Sequence, residues 1–280
     1  MRLRLFDQTS DLGIPVVMKL FCFLSCLLSF QLLYAQQDSI QYYQSFDGTK
    51  IAYQVRGQGE PVLLVHGFIV NGESWKRSAL YTDLLSNGYK VIILDQRGNG
   101  RSDKPHTPEA YANDAEAKDI MGLMKNLGIK KYNVVGYSRG SIITARLLVL
   151  DKNVRRAVLG GIGTGFTDPE WPRRKMFYRA LMGDSVPELQ AMVKNVQASG
   201  LDQQALAYLQ KEQPSTSKDK ISKVKQPVLV LCGTDDADLQ EAKQLAGYFK
   251  RGSFGTMPGD HGAAVRTKEF SEQVVAFFRK

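Results

Sequence analysis

Short apolar, β-branched runs recur along this chain: "VLLVHG" at 62–67, "YKVIILDQ" at 89–96, "YNVVGYS" at 132–138, "RRAVLGGI" at 155–162 and "PVLVLCG" at 227–233. Runs that apolar, without alternation, read as strands covered on both faces, which is the situation in a parallel sheet. Helical patterns stand between them: Ser74 to Leu85, Ala110 to Leu127 (entered through Thr107-Pro108-Glu109), a segment starting after Ser138, Ala237 to Tyr248 and Thr267 to Phe278. Ahead of the series, "SIQYYQSF" and "KIAYQVRG" flank Asp47-Gly48 and read as an antiparallel hairpin, and "SFGTM" at 253–257 reads as a last strand. Strand–helix alternation of this kind predicts an α/β layered domain with helices on both faces.

One interval departs from the alternation. From about 163 to 225 no strand-like run occurs, while "PEWPRRKMFYRALMGD", "VPELQAMVKNVQ" and "DQQALAYLQKEQ" read as amphipathic helices. A helical insertion there is expected to form a cap over the strand C-termini, where open α/β sheets bind ligands.

The chain holds 37 basic and 28 acidic side chains, a formal net charge of +9. The basic residues are scattered, with no long run and no interleaved aromatic motif, so a solvated surface is expected and no nucleic-acid partner. The segment starting at Met18-Lys19, continuing uncharged from Leu20 to Leu33 and ending Tyr34-Ala35-Gln36 has the order of a secretory signal, with translation expected from Met18 and cleavage after Ala35. Its apolar middle falls short of the about 20 residues a membrane span requires, so export with no stable insertion is expected; an uncut signal would act as an N-terminal anchor. Residues 1–35 are read as extension plus signal and 36–280 as the folded domain. Loss of 1–35 takes three basic and two acidic side chains and leaves +8; it also removes Cys22 and Cys26, leaving Cys232 without an intramolecular partner.

Gly136-Tyr137-Ser138-Arg139-Gly140 follows a predicted strand and opens a predicted helix. A G-x-S-x-G sequence in that context makes a sharp turn that lifts the serine hydroxyl clear of the sheet. A hydroxyl attacks a carbonyl only when a base takes its proton and a third group holds the base. The chain has three histidines, His66, His106 and His261. His261 lies in "MPGDHGAA" after the last predicted strand, and "CGTDDAD" offers Asp235, Asp236 and Asp238 beyond another. His66 reads as packed and hydrogen-bonded at a strand end, His106 as a loop residue, and Asp95 and Arg97 of "DQRGNGRSD" as ties between loops. None of the histidines has metal-ligand spacing, and neither metal nor cofactor is expected.

The sequences "LLVHGF", "ILDQRGNGRSDKP", "VVGYSRGS", "LVLCGTDD" and "PGDHGAAV", in that order, resemble the α/β-hydrolase superfamily over residues 40–280, and in particular its serine-nucleophile, esterase-like members. The resemblance implies an α/β-hydrolase fold: a mostly parallel eight-stranded sheet, helices on both faces and a small helical cap. It further implies Ser138 as nucleophile, His261 as general base and Asp236 as the acid, three positions after Gly233, with Asp235 as second choice and Asp238 a distant third. The backbone N–H groups of Phe68 and Arg139 would form the oxyanion hole. Asn99 stands where relatives often carry histidine, and the Arg139 side chain is expected to pair with a cap carboxylate rather than meet substrate. Ile69, Tyr137, Trp171 and Phe177 are the expected pocket residues, with Val70, Phe166, Met176, Tyr178 and Met182 as further candidates. Hydrolysis of a small acyl compound, falling below roughly pH 6 as His261 protonates, is the expected activity. Lactone or carbon–carbon bond hydrolysis, cofactor-free peroxidase chemistry and a non-catalytic binding role are the alternatives. Serine at 138 disfavours reactions that need a carboxylate nucleophile.

Overall fold

Eight strands form a single sheet in the order β1-β2-β4-β3-β5-β6-β7-β8, in a computed structural model that describes residues 39–280. The strands are β1 (Gln41–Gln44), β2 (Lys50–Arg56), β3 (Pro61–Val65), β4 (Lys90–Leu94), β5 (Tyr132–Tyr137), β6 (Val154–Gly160), β7 (Val228–Gly233) and β8 (Gly252–Met257). β2 runs antiparallel to β1 and β4; every pairing from β4 to β8 is parallel. The signal-like segment at 1–35 lies outside the described residues.

The period-two geometry of a strand sends neighbouring side chains to opposite faces, and each face has its own apolar layer. Leu63 and Val65 of β3 and Ile92 of β4 pack with Ile120, Ile142 and Leu245 on one side. Val62 and Leu64 of β3 and Val91 of β4 pack with Leu80, Leu84, Phe270 and Val274 on the other. The helices of the first layer are α2 (Ala115–Asn126), α3 (Arg139–Leu150) and α8 (Leu239–Ala246); those of the second are α1 (Ala79–Ser86) and α9 (Lys268–Phe278). Between β6 and β7 come α4 (Pro172–Leu181), α5 (Gln190–Ala198), α6 (Gln203–Lys211) and α7 (Lys218–Ser222), and no strand.

Two predicted helices begin later than their periodicity suggests. The Ser74–Leu85 pattern is split: a 3₁₀ turn over Gly72–Arg77 ends at Ser78, and α1 starts at Ala79. The Ser78 hydroxyl accepts from Leu80 N–H and donates to the Val265 carbonyl, so it caps a new helix instead of continuing an old one. The Ala110–Leu127 pattern is interrupted by Asn113 and Asp114, both left-handed at φ 55° and 63°. Short polar side chains tolerate that region, and the Asp114 carboxylate is held by Arg146 at 2.5–2.7 Å.

Six consecutive parallel strands bring their C-terminal ends to one edge. The loops after β3, β5, β7 and β8, which carry Phe68, Ser138, Asp236 and His261, therefore emerge side by side.

Candidate active site

Ser138 joins β5 to α3 in a backbone conformation of φ 53°, ψ −123°. A non-glycine residue rarely adopts a positive φ, and the strain is held by the packing on both sides. A Cβ on Gly136 would stand 2.4 Å from the Gly140 carbonyl oxygen, and one on Gly140 would stand 2.2 Å from the Val65 carbonyl oxygen. The flanking glycines are thus required by close approach, not by their own φ. The Ser138 side chain does not cap α3, so its hydroxyl is free for another partner. That partner is His261, whose Nε2 lies 2.9 Å from Oγ.

The far side of the imidazole meets Asp236, with Nδ1 to Oδ2 at 2.8 Å. A carboxylate can only accept, so Nδ1 carries the proton and Nε2 is left to accept the Ser138 O–H. Asp236 also accepts from Asp238 N–H, and its side chain is 3% exposed. Burial alone would raise the Asp236 pKa, but the hydrogen bond from His261, helped by Asp238 N–H, holds it below the usual carboxylate value. His261 moves the other way: its bond to Asp236 raises its pKa above the ordinary histidine value, against the effect of burial. A role that needs the neutral imidazole is accordingly lost at a higher pH than for an ordinary histidine.

The His261 loop is fixed by its own turns. Asp260 Oδ1 accepts from Gly262 and Ala263 N–H at 2.9 and 2.8 Å, and Gly259 takes φ 102°. Tyr137, the residue before the serine, donates its hydroxyl to the His261 carbonyl at 2.8 Å and lies 5.6 Å from the imidazole, ring centre to ring centre. Asp235, the second-choice acid, is exposed; Asp238 is occupied by a two-point contact with Arg173 at 2.8 Å.

The loop after β3 lies against the serine. A Cβ on Gly67 would touch Ser138 Cβ at 3.4 Å, and Phe68 borders the same space as Ser138. Arg139 is the first residue of α3, where backbone N–H groups lack intrahelical acceptors. His66, 1% exposed, accepts from Gln96 N–H through Nε2 at 3.0 Å and donates through Nδ1 to Gly67 O at 2.8 Å. Burial lowers its pKa, so it stands neutral as a brace between β3 and β4. Asp95 receives Gly72 and Arg101 N–H, and the fully buried Arg97 spans Asp119 and Asp47, so both tie loops together. Asn99 donates to Arg97 O, and His106 contacts Asp202 at the start of α6.

Two chambers meet at Ser138 and His261. The larger, of about 570 Å³, runs under the cap between Phe68, Trp171, Met176 and Phe177 and reaches Gln210 and Gln213. The smaller, of about 190 Å³, is walled by Val70, Trp75, Tyr137, Val265 and two arginines. Of the expected pocket residues, Trp171 and Phe177 line the larger chamber and Tyr137 the smaller. Ile69 lines neither: it is turned by its positive φ of 53° into the cluster of Tyr111, Leu181 and Leu206. Phe166 is in the sheet core, Tyr178 packs inside the cap, and Met182 is 49% exposed. The Arg139 side chain is paired, but not with a cap carboxylate as expected. Its partner is Glu116 of α2, at 2.7 and 2.5 Å, and the cap supplies only the Leu209 carbonyl at 3.0 Å. Gln210 and Gln213, 6% and 4% exposed, were not legible as site residues, because only the fold of α6 and the chain just after it brings them to the chamber.

A family model for the alpha/beta hydrolase fold matches residues 60–193. The chain is 36% identical over 117 residues to a non-heme chloroperoxidase of Streptomyces lividans, covering 40% of this chain and 41% of that one. It is 29% identical over 209 residues to the (E)-2-((N-methylformamido)methylene)succinate hydrolase of Acinetobacter baylyi, 66% of this chain and 75% of that one. Several curated relatives are matched over less than half of their own length. Among solved structures, an esterase from Exiguobacterium antarcticum superposes with a TM-score of 0.71 at 23% identity, covering 86% of this chain and 99% of that one. A hydrolase from Pseudomonas aeruginosa PA01 does so with 0.73 at 19% identity, over 86% and 98%.

Proposed function

The chain belongs to the α/β-hydrolase superfamily, and on that premise we propose that it is a serine hydrolase cleaving a small carboxylic ester through an acyl-enzyme. The observation that carries this reading is the chain of contacts Ser138 Oγ–His261 Nε2 at 2.9 Å and His261 Nδ1–Asp236 Oδ2 at 2.8 Å, on a serine whose hydroxyl is withheld from its own helix. His261 takes the Ser138 proton as Oγ bonds to the carbonyl carbon, and Asp236 holds the imidazole in the required tautomer and stabilises its cation. The oxyanion is received by the Phe68 and Arg139 backbone N–H groups; one such donor is typically worth about 3–4 kcal/mol in the transition state. Collapse of the tetrahedral species expels the alcohol with the proton from His261. Water, deprotonated by His261, then frees the acid and restores Ser138. The signal-like residues 18–35 support an exported protein.

A second reading has a specific support in the similarity to a non-heme chloroperoxidase and a non-heme haloperoxidase. If hydrogen peroxide replaces water as acceptor of the acyl group, the same site yields a peracid and regenerates Ser138.

Steady-state hydrolysis of p-nitrophenyl butyrate tests the first reading. Ser138→Ala is expected to lose on the order of 10⁴-fold or more in kcat. Hydrolysis that survives the substitution would overturn the assignment. Addition of peroxide and bromide to the same assay separates the second reading, through bromination of a dye that requires an acyl donor.

A further inference from the structure

The two chambers beside Ser138 differ in how their positive charges are met. In the larger one, Arg139 is paired with Glu116 and Arg173 with Asp238, and Arg174 donates to the Gln213 and Pro169 carbonyls. The smaller chamber has Arg77 and Arg266 at its border and no aspartate or glutamate among its lining residues. Among the described residues neither guanidinium has a hydrogen-bond or ion-pair partner.

The backbones that carry these arginines are tied to each other. Ser78, next to Arg77, donates its hydroxyl to the carbonyl of Val265, next to Arg266, at 2.8 Å. The segments carrying Arg77 and Arg266 are thus tied at one small opening, where both side chains are exposed and no acid lines the chamber. The wall of the same chamber includes Trp75, which is 2% exposed and whose indole N–H is buried without a hydrogen-bond partner. A buried donor left unpaired is costly, and two guanidiniums bordering one opening without a lining carboxylate favour an anion. Ser138 and His261 line the same chamber.

We propose that the smaller chamber is an anion subsite, so that the preferred substrate carries a carboxylate on the arm that enters there, with Arg77 and Arg266 as the specificity-determining residues. The other arm, apolar or amide-bearing, lies under the cap. The inference rests on the hydrolase reading for which molecule enters, and on the charge distribution alone for the anion.

Calorimetric titration of the Ser138→Ala chain with benzoate, and with benzamide as its neutral isostere, tests the subsite without turnover. Benzoate is expected to bind at least tenfold more tightly than benzamide, and the difference is expected to shrink as sodium chloride rises from 50 to 500 mM. Adding Arg77→Gln and Arg266→Gln is expected to weaken benzoate binding tenfold or more, whereas Arg77→Lys and Arg266→Lys retain most of it. The thermal midpoint of each variant reports that the fold is intact. Equal affinity, or equal absence of affinity, for benzoate and benzamide would overturn the proposal, as would benzoate binding that is indifferent to both glutamine substitutions. Failure of the hydrolase reading has a different signature, namely ester cleavage that persists in Ser138→Ala.

Discussion

Gly140→Ala isolates the mechanical link between the serine turn and the oxyanion loop. The added methyl would stand 2.2 Å from the Val65 carbonyl oxygen and 2.6 Å from that of His66, both backbone atoms at the end of β3. Carbon and oxygen do not pack closer than about 3.0 Å, so the strand end or the start of α3 must retreat by roughly 1 Å. His66, Gly67 and Phe68 continue directly from that strand end, and Phe68 N–H is one of the two proposed oxyanion donors. A shift of this size takes the donor out of hydrogen-bond range, and the loss of one donor costs about 3–4 kcal/mol, or 10²–10³-fold in kcat. The overpacking itself costs about 1–3 kcal/mol of stability, lowering Tm by several degrees in a chain of this size. Michaelis kinetics on p-nitrophenyl butyrate, paired with thermal melts, should therefore show a large fall in kcat with a folded protein. Gly247→Ala is the control: its added methyl meets only Gln244 O at 3.3 Å, and Gly247 lines neither chamber. A Gly140→Ala enzyme with kcat within threefold of the parent and an unchanged Tm would refute the reasoning.

Asp236→Asn should lower kcat by on the order of 10⁴-fold, because the imidazole loses both its tautomer and its counter-charge. In the parent, the neutral base is lost as pH falls through a His261 value raised above about 6.5, so the acidic limb of kcat/KM lies above that pH. Removing Asp236 removes the main cause of the rise and should move the limb to lower pH; an unmoved limb would mean that another group titrates. Glu116→Ala leaves the buried Arg139 guanidinium without its counter-charge and should cost about 3–5 kcal/mol, read as a fall in Tm on the order of 10 °C. Pairing it with Arg139→Met should recover most of that loss.

The strands were legible because burial on both faces leaves little room for polar residues: each of the five apolar runs overlaps one observed strand. The serine turn was legible because its geometry admits only glycine at 136 and 140. What stayed hidden depends on partners distant in the chain. Ser78 breaks a helix because Val265 O is there to receive its hydroxyl, 187 residues away. Arg139 turns to Glu116, although composition offers carboxylates in the cap as well. Ile69 sits at positive φ against residue preference, held by Tyr111 and the cap cluster, and so leaves the pocket to which its apolar character pointed. Arg77 and Arg266 give no signal in the sequence, since only the fold brings the loops after β3 and β8 together.

The central claim is that Ser138 is an activated nucleophile, and labelling the purified protein with a fluorophosphonate probe, followed by peptide mapping, tests it most directly. A single adduct on Ser138, lost in Ser138→Ala and suppressed as His261 protonates, is the predicted result. Folded protein that takes up no probe, or carries it on another residue, would contradict the claim.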